Sequence, residues 1–380
     1  MAFQHIRTLN RRKNVYLKKI KLDIKLFFLD KLSRSRPHTQ PERMNIIILC
    51  NGFGIGDAIV TTGLIFSLHQ HGHTVTVLCE KRTAFIFEYS PAVEHVVIYD
   101  GLRHLRSQHR SRYDLLIDIN EKNHLSPLRF RIIKALKPAI ALGINQSNYN
   151  IYDVSVYYRQ PLKHISNKHQ EILHHLGLAV DNYSYHLTVP ENITLEVKAF
   201  ISQLDSDNFV VINPFASELS RDMSDAQIET LTKYILQEIG KTVIFIGTPC
   251  QLERITVKSG IKFPSATFLH AAALIESAKL VISPDTSIVH LCKIYDKKLV
   301  CLYNNKIIND GEQNNIVWGP GYSNAMQILS TGNRIDDISA DVLCRTVLDA
   351  AIQLGWTIPA ITRINGELRN FDALLAEMTH

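Results

Sequence analysis

Apolar and polar positions divide this chain into two stretches that repeat the same rhythm. In the first, short apolar runs alternate with amphipathic segments. The pattern predicts strands at Asn45–Cys50, His73–Cys79, His95–Tyr99, Leu115–Ile119 and Ala139–Gly143. It predicts helices at Ala58–His71, ended by Gly72, at Lys81–Tyr89, stopped by Pro91, and at Pro127–Leu136. The rhythm restarts with a strand at Phe209–Asn213 and a helix at Asp225–Ile239. Strand Thr242–Gly247, helix Leu269–Ala278, strand Leu280–Ser283, helix Ser287–Tyr295 and strand Leu299–Tyr303 follow. Runs rich in Ile, Val and Leu that alternate with helices call for mainly parallel sheets covered on both faces, an α/β fold. The 380 residues are too many for one ordinary core and fit two domains.

The expected domain limits follow from composition. Residues 44–190 form the first domain and 208–335 the second. Residues 191–207, next to Pro190 and carrying a polar helical segment, join them, and 336–380 read as helices. No repeat of solenoid period and no low-complexity tract interrupts the pattern.

Charge changes the picture only at the start of the chain. Residues 1–43 carry twelve Lys/Arg against three Asp/Glu, a net of +9, while the remainder carries 30 against 33, a net of −3. Within this extension Leu17, Ile20, Ile24, Phe27, Phe28 and Leu32 follow helical spacing, and Lys18, Lys19, Lys21 and Lys25 lie mostly elsewhere on the wheel. Two readings stand. A basic amphipathic helix lies on an anionic membrane surface, or it packs its apolar stripe on the protein with its lysines in solvent. No nucleic-acid motif accompanies the charge, so a nucleic-acid partner is not expected. No apolar run approaches the roughly 18 residues of a spanning helix, and no signal-peptide pattern opens the chain. The six cysteines are scattered without a CxxC pair, as expected of reduced thiols in a cytoplasmic protein.

Chemistry concentrates in two loops where a strand hands over to a helix, the place where open α/β sheets bind ligands. The first is Asn51-Gly52-Phe53-Gly54-Ile55-Gly56-Asp57. It approaches the GxGxxG dinucleotide fingerprint, but Asp57 occupies the third glycine position. An NAD-dependent oxidoreductase is therefore disfavoured, with Glu80 as the one acidic residue near the end of the second strand. Gly52, Gly54 and Gly56 still allow close backbone approach and expose N–H groups at a helix start. Asp57 reads as a cap or as a functional carboxylate.

The second loop is Ser283-Pro284-Asp285-Thr286-Ser287-Ile288-Val289-His290. Thr286 and Ser287 offer hydroxyls at a helix start that attracts phosphate, with His290 one turn in. Asn213-Pro214-Phe215-Ala216 ends the first strand of the second half, and Arg221 follows, a residue type that binds phosphate bidentately or forms a surface ion pair. The His69-x-His71-x-His73 run lacks a carboxylate spaced to complete a metal site, and no metal is expected.

Taken in order, Ile46–Thr62, Asn213–Ala216 and Ser283–His290 resemble glycosyltransferase family 9, the heptosyltransferase-like enzymes of bacterial lipopolysaccharide core synthesis, over roughly residues 44–330. The resemblance implies the GT-B fold, with two Rossmann-like domains facing across a cleft that closes during turnover. It implies an inverting, metal-independent transfer in which Asp57 deprotonates the acceptor hydroxyl. Asn213, Arg221, Asp285, Thr286, Ser287, Ile288 and His290 would bind the nucleotide-sugar donor, and ADP-heptose is the first expectation. No cofactor beyond this donor is implied. The acceptor would be a lipid-linked glycan of a lipopolysaccharide or lipooligosaccharide core, met at the inner face of the cytoplasmic membrane. The chain departs from the family pattern at Ser287, where glycine is usual, at Ser220–Met223, and at Asn304-Asn305. These departures surround the donor. They keep open a second expectation, a nucleotide-sugar-binding or scaffold protein of this fold without turnover.

Overall fold

The computed structural model describes residues 17–18, 20–30, 42–120, 126–160, 162–180, 183–263, 265–308 and 311–358. Most of the basic extension (1–16, 19 and 31–41) and the last part of the expected C-terminal helices (359–380) lie outside the described residues.

The chain divides into two compact units, one of residues 1–159 and 168–183, the other of 160–167 and 184–380. The first holds a six-stranded parallel sheet of β1 (Asn45–Leu49), β2 (Thr74–Cys79), β3 (His95–Ile98), β4 (Leu115–Asp118), β5 (Ile140–Ile144) and β6 (Val154–Val156). Their order across the sheet is β3-β2-β1-β4-β5-β6. The second unit contains β7 (Phe209–Ile212), β8 (Thr242–Phe245), β9 (Ile261–Lys262), β10 (Leu280–Pro284) and β11 (Lys298–Tyr303). The short antiparallel pair β12 (Ile307–Ile308) and β13 (Glu312–Gln313) stands apart from its sheet, which β14 (Ala325–Leu329) completes. The second order is β14-β11-β10-β7-β8-β9, the same winding as the first. Each is the 3-2-1-4-5-6 arrangement of a Rossmann-like sheet, in which the winding reverses between two central strands. The two-sheet α/β architecture is thus the GT-B class that the resemblance implied.

Burial explains why the strands were legible. Ile46–Leu49, Val210–Ile212 and Leu280–Ile282 are fully buried. Each such side chain contributes about 1.5–3 kcal/mol by leaving water. One core joins Ile47, Leu49, Leu116, Phe130 and Leu136; another joins Val210, Ile212, Leu231, Ile282, Val300 and Leu343.

Several boundaries move. The helix expected from Ala58 begins three residues earlier and spans Ile55–Gln70, because Gly54 serves as its N-cap. The helix expected over Lys81–Tyr89 is helical only over Lys81–Ala84. Asp225–Ile239 is continuous but loosens into a π turn over Ile235–Ile239 before Gly240, whose φ of +68° ends it. The stretch expected as a connector carries the helix Glu191–Ile201, with Ile193 and Val197 buried. After Asp337 the described chain is one helix, Ala340–Gln353. Helices Leu102–Gln108 and Ser166–His175, and strands β6 and β14, were not anticipated. Their apolar patterns are short or broken by polar residues.

Candidate functional site

In both units the chemistry-bearing loops leave the ends of the two strands that flank the winding reversal. In the first unit these are β1 and β4. The glycine loop turns at Gly52, whose φ of +84° puts it in the left-handed region that favours glycine. The Gly52 N–H donates to Glu80 Oε1 at 3.1 Å. Glu80, weighed at sequence level as a dinucleotide ligand, instead anchors this turn.

Asp57 is the third residue of helix Ile55–Gln70, and its Oδ2 accepts the Gly54 N–H at 2.8 Å. Sequence reasoning put Asp57 at the helix start, as a cap or a functional carboxylate; the structure puts it at the third position of the first turn, half-buried. A Cβ at Gly54 would lie 3.2 Å from Asp57 Oδ2, so a larger residue there would require that carboxylate to shift by a few tenths of an ångström. Gly56 falls inside the first turn of the helix.

Behind this loop lies a buried ionic assembly that the sequence reading missed. Arg129 donates through Nη1 to Asp118 Oδ1 and through Nη2 to the Asn51 carbonyl, both at 2.5 Å. The Tyr152 hydroxyl donates to Asp118 Oδ2 at 2.8 Å. Burial and the Asp118 carboxylate push the Tyr152 phenol well above its ordinary range, so the hydroxyl stays a donor. Asp118 and Arg129 are both buried. Removing one partner of such a pair costs about 3–5 kcal/mol, because the other charge is left uncompensated. The assembly therefore ties the end of β4 to the end of β1 across the reversal point and fixes where the glycine loop begins. A sequence signal existed: Asp118 ends an otherwise apolar strand, and Arg129 sits among apolar residues of the helix Pro127–Leu136.

In the second unit the corresponding strands are β7 and β10. Asn213 Nδ2 donates to Ser283 Oγ at 3.0 Å and to Thr286 Oγ1 at 3.2 Å. Thr286 is the N-cap of helix Ser287–Ile294, its Oγ1 accepting the Ile288 N–H at 3.2 Å. Ser287 is the first helical residue and half-buried, while Ile288 is buried. These contacts bring Asn213, Ser283, Thr286 and Ser287 together at a helix N-terminus, an arrangement of hydroxyl, amide and N–H donors suited to an anion.

Arg221 meets this loop from the side. Its Nη1 donates to the Asp285 carbonyl at 3.0 Å and to Asp285 Oδ2 at 2.8 Å, and its Nη2 to Ser217 Oγ at 2.7 Å. Asn314 Nδ2 also donates to Asp285 Oδ2. Burial raises the Asp285 pKa, and the Arg221 charge opposes that shift. Asp285 is thus an internal strut of its loop. Asn314 had no sequence signal, lying in a short helix some thirty residues on.

The preceding loop is braced by a further pair. Asp222 accepts from the Ala216 N–H at 2.8 Å and from Arg254 at 2.9 Å, and the Arg254 guanidinium stacks 4.4 Å over Phe215.

His290 turns inward. It is buried edge-on between Tyr185 and Trp318, with ring centroids 6.0 Å away on each side. Burial, with His164 and Lys293 nearby, holds its pKa down to about 3. A neutral imidazole in this position packs the back of the loop and offers no positive charge.

The three closely spaced histidines go separate ways. His71 Nδ1 lies 2.8 Å from the Ser67 carbonyl, buried His73 accepts the Met44 N–H at 3.2 Å, and His69 is exposed. Among the described residues no three His, Cys, Asp or Glu side chains are grouped as a metal site requires. Of the cysteines only Cys250 is exposed, and all six are free. No described helix is long and apolar enough to cross a membrane.

Two sheets of one winding, each with a polar loop at its reversal point, give the paired Rossmann-like arrangement of the GT-B fold class, and comparison with known sequences narrows it to a family. The sequence profile of glycosyltransferase family 9 (heptosyltransferase) matches residues 102–337, so the chain belongs to that family. The matched stretch includes Asn213–Ala216 and Ser283–His290 and begins after the glycine loop. The putative lipopolysaccharide heptosyltransferase 4 of Escherichia coli (strain K12) is 26% identical over 360 residues, covering 90% of this chain and 96% of that protein. Among solved structures, the family 9 glycosyl transferase of Veillonella parvula DSM 2008 is similar at TM-score 0.68 and 16% identity, over 84% of this chain and 99% of that one. The E. coli ADP-heptose lps heptosyltransferase II is similar at 0.64 and 14% identity, over 82% and 99%. E. coli heptosyltransferase WaaC with ADP is similar at 0.64 and 16% identity, over 81% and 100%. These structural likenesses bear on the fold.

Proposed function

We propose that this chain transfers a sugar, heptose first among candidates, from a nucleotide-diphosphate sugar to the core of a lipopolysaccharide, lipooligosaccharide or similar glycan. The observation that carries this reading is the likeness to the putative lipopolysaccharide heptosyltransferase 4, long enough to take in both sheets and all their reversal-point loops. The donor class is supported by the relatives solved with ADP and with ADP-2-deoxy-2-fluoro heptose.

In this reading the diphosphate rests at the start of helix Ser287–Ile294, among Asn213, Thr286 and Ser287, with Ile288 behind them. Arg221, anchored by Asp285, supplies positive charge beside it. Asp57 takes the proton of the acceptor hydroxyl. The freed oxygen attacks the anomeric carbon from the face opposite the leaving group. A new C–O bond forms, the bond to the diphosphate breaks, and the nucleoside diphosphate leaves with the electron pair. A single displacement inverts the anomeric centre. The helix N-terminus and Arg221 stabilise the leaving anion, so the step needs no metal. The acceptor is lipid-linked, which places the enzyme at the inner face of the cytoplasmic membrane.

The test is transfer from ADP-heptose to a core acceptor by purified protein, with Asp57→Asn beside it. Asparagine retains an oxygen to accept the Gly54 N–H, so the melting temperature and ADP binding should hold. Transfer should fall by about 10²–10⁴-fold, the usual contribution of a general base. Full activity in the variant would remove Asp57 from the chemistry. A second reading, a nucleotide-sugar-binding protein without turnover, is favoured by one observation: Asp57 and Asp285 both accept hydrogen bonds inside their own loops. Any wild-type transfer eliminates it.

A further inference from the structure

Residues 17–18 and 20–30 are helical, and the helix divides into three sectors when its residues are placed at about 100° steps. Leu22, Leu26 and Leu29 form one sector and pack on the core of the first unit, with Leu26 buried. The helix is also pinned at Leu29 and Asp30. Asp30 accepts from the Ile151 N–H at 2.8 Å and from Asn150 Nδ2 at 3.0 Å, and Lys134 donates to the Leu29 carbonyl. Roughly opposite lie Leu17, Ile24, Phe27 and Phe28, which are 44%, 51%, 60% and 64% exposed. Between these two sectors, along one flank, stand Lys18, Lys21 and Lys25, all exposed. The one exposed acid of the helix, Asp23, projects on the side away from the lysines.

The apolar stripe noticed in the sequence is therefore not the surface that packs. The helix is seated by a second apolar set and carries the stripe outward. We infer that this outward face docks on an anionic lipid bilayer, with Ile24 and Phe28 entering the interface and Lys18, Lys21 and Lys25 meeting the headgroups. The charge selects this occupant. Three lysines bordering an apolar face complement phosphatidylglycerol-like headgroups. A second copy of the same face packed antiparallel would set lysines against lysines across the two-fold axis. Because the helix is fixed to the first unit, docking holds that unit's glycine loop at a set height above the lipid. This deepens the transfer reading, which needs an acceptor on the membrane. A binding assay requires no transfer, however, so the two can fail separately.

The experiment is co-sedimentation of the full chain with vesicles of phosphatidylcholine plus phosphatidylglycerol, or of phosphatidylcholine alone. Binding should prefer the anionic vesicles and weaken as salt is added. Lys18→Gln with Lys21→Gln and Lys25→Gln should lose about a hundredfold in affinity for anionic vesicles, at roughly fivefold per lysine. Ile24→Ser with Phe28→Ser should lose at least about tenfold on the same vesicles. Both substituted proteins should keep the wild-type circular dichroism and melting temperature, since the replaced side chains face solvent. Equal binding by wild type and variants, or no preference for anionic lipid, overturns the inference. So does light scattering that shows a wild-type dimer reduced to a monomer by Ile24→Ser with Phe28→Ser.

Discussion

His290 stands one turn into the helix that begins at Ser287, yet its ring points away from the loop it belongs to. Together with the half-buried His164 it forms a pair of titratable groups whose pKa values are both held down. His164 Nε2 donates to the Gly319 carbonyl at 3.0 Å while Nδ1 accepts the Ser166 N–H at 3.2 Å, which assigns the tautomer. Burial and the neighbouring Lys293 hold the His164 pKa to about 4, and that of His290 to about 3. Both folded values lie below the ordinary 6.5, so the unfolded chain binds protons that the folded chain refuses. The stabilising contribution is complete above pH 6.5 and is lost as pH falls from there toward 4 and then 3. Each group adds a slope of about 1.4 kcal/mol per pH unit in that window. Replacing His290 by Phe keeps a ring between Tyr185 and Trp318 and removes one proton site. Urea denaturation of His290→Phe between pH 6 and 4.5 should therefore show a shallower loss of stability than wild type, by about 1.4 kcal/mol per pH unit. An unchanged slope would mean that His290 takes up its proton without unfolding.

At the scale of elements, the two reversal points are cross-linked by different chemistry. Between β1 and β4 the link is ionic and buried, running Asn51–Arg129–Asp118–Tyr152. Between β7 and β10 it is a set of neutral donors, Asn213, Ser283 and Thr286. Gly143 in β5 exposes how tightly the ionic link is packed, because a Cβ there would lie 2.7 Å from Tyr152 Cδ1 and 2.8 Å from Gln146 Cγ. Gly143→Ala should push Tyr152 off Asp118 and destabilise the protein by about 1–3 kcal/mol, as overpacking does. If the assembly positions the glycine loop, kcat should drop while ADP affinity holds; lower stability with unchanged kcat would reduce it to a packing feature. The strands around these links were legible because they are buried on both faces and read as unbroken apolar runs. The links were not. Periodicity marks which face a residue lies on, but not which charged side chain in a buried segment reaches which partner eleven or seventy-eight residues away. Asp57 was legible as a residue of interest from its place in a glycine loop, whereas its use as the helix's internal cap required the observed start at Ile55.

For the whole molecule, two sheets of identical winding have come to differ in what their reversal points offer a ligand. The first unit places Arg129 at its reversal point, where it pairs with Asp118 and takes up the Asn51 carbonyl. The second leaves hydroxyls, an amide and the first turn of an eight-residue helix, and its two nearest charges, Arg221 and Asp285, are paired with each other. An anionic nucleotide should therefore act on the second unit and leave the first largely as it was. Hydrogen exchange read by mass spectrometry tests this on the intact chain. With ADP at a hundredfold excess over its Kd, amides in Asn213–Ala216 and Asp285–Val289 should exchange up to about a hundredfold more slowly, the limit set by a stabilisation of about 2.7 kcal/mol. Amides in Asn51–Asp57 should keep their unliganded rates. The same measurement with UDP and GDP ranks the bases, because the loops around Asn304 and Ser287 belong to the same unit. Protection confined to Asn51–Asp57 would reverse the assignment, placing the nucleotide on the glycine loop and leaving the Asn213–Thr286 cluster as structural support.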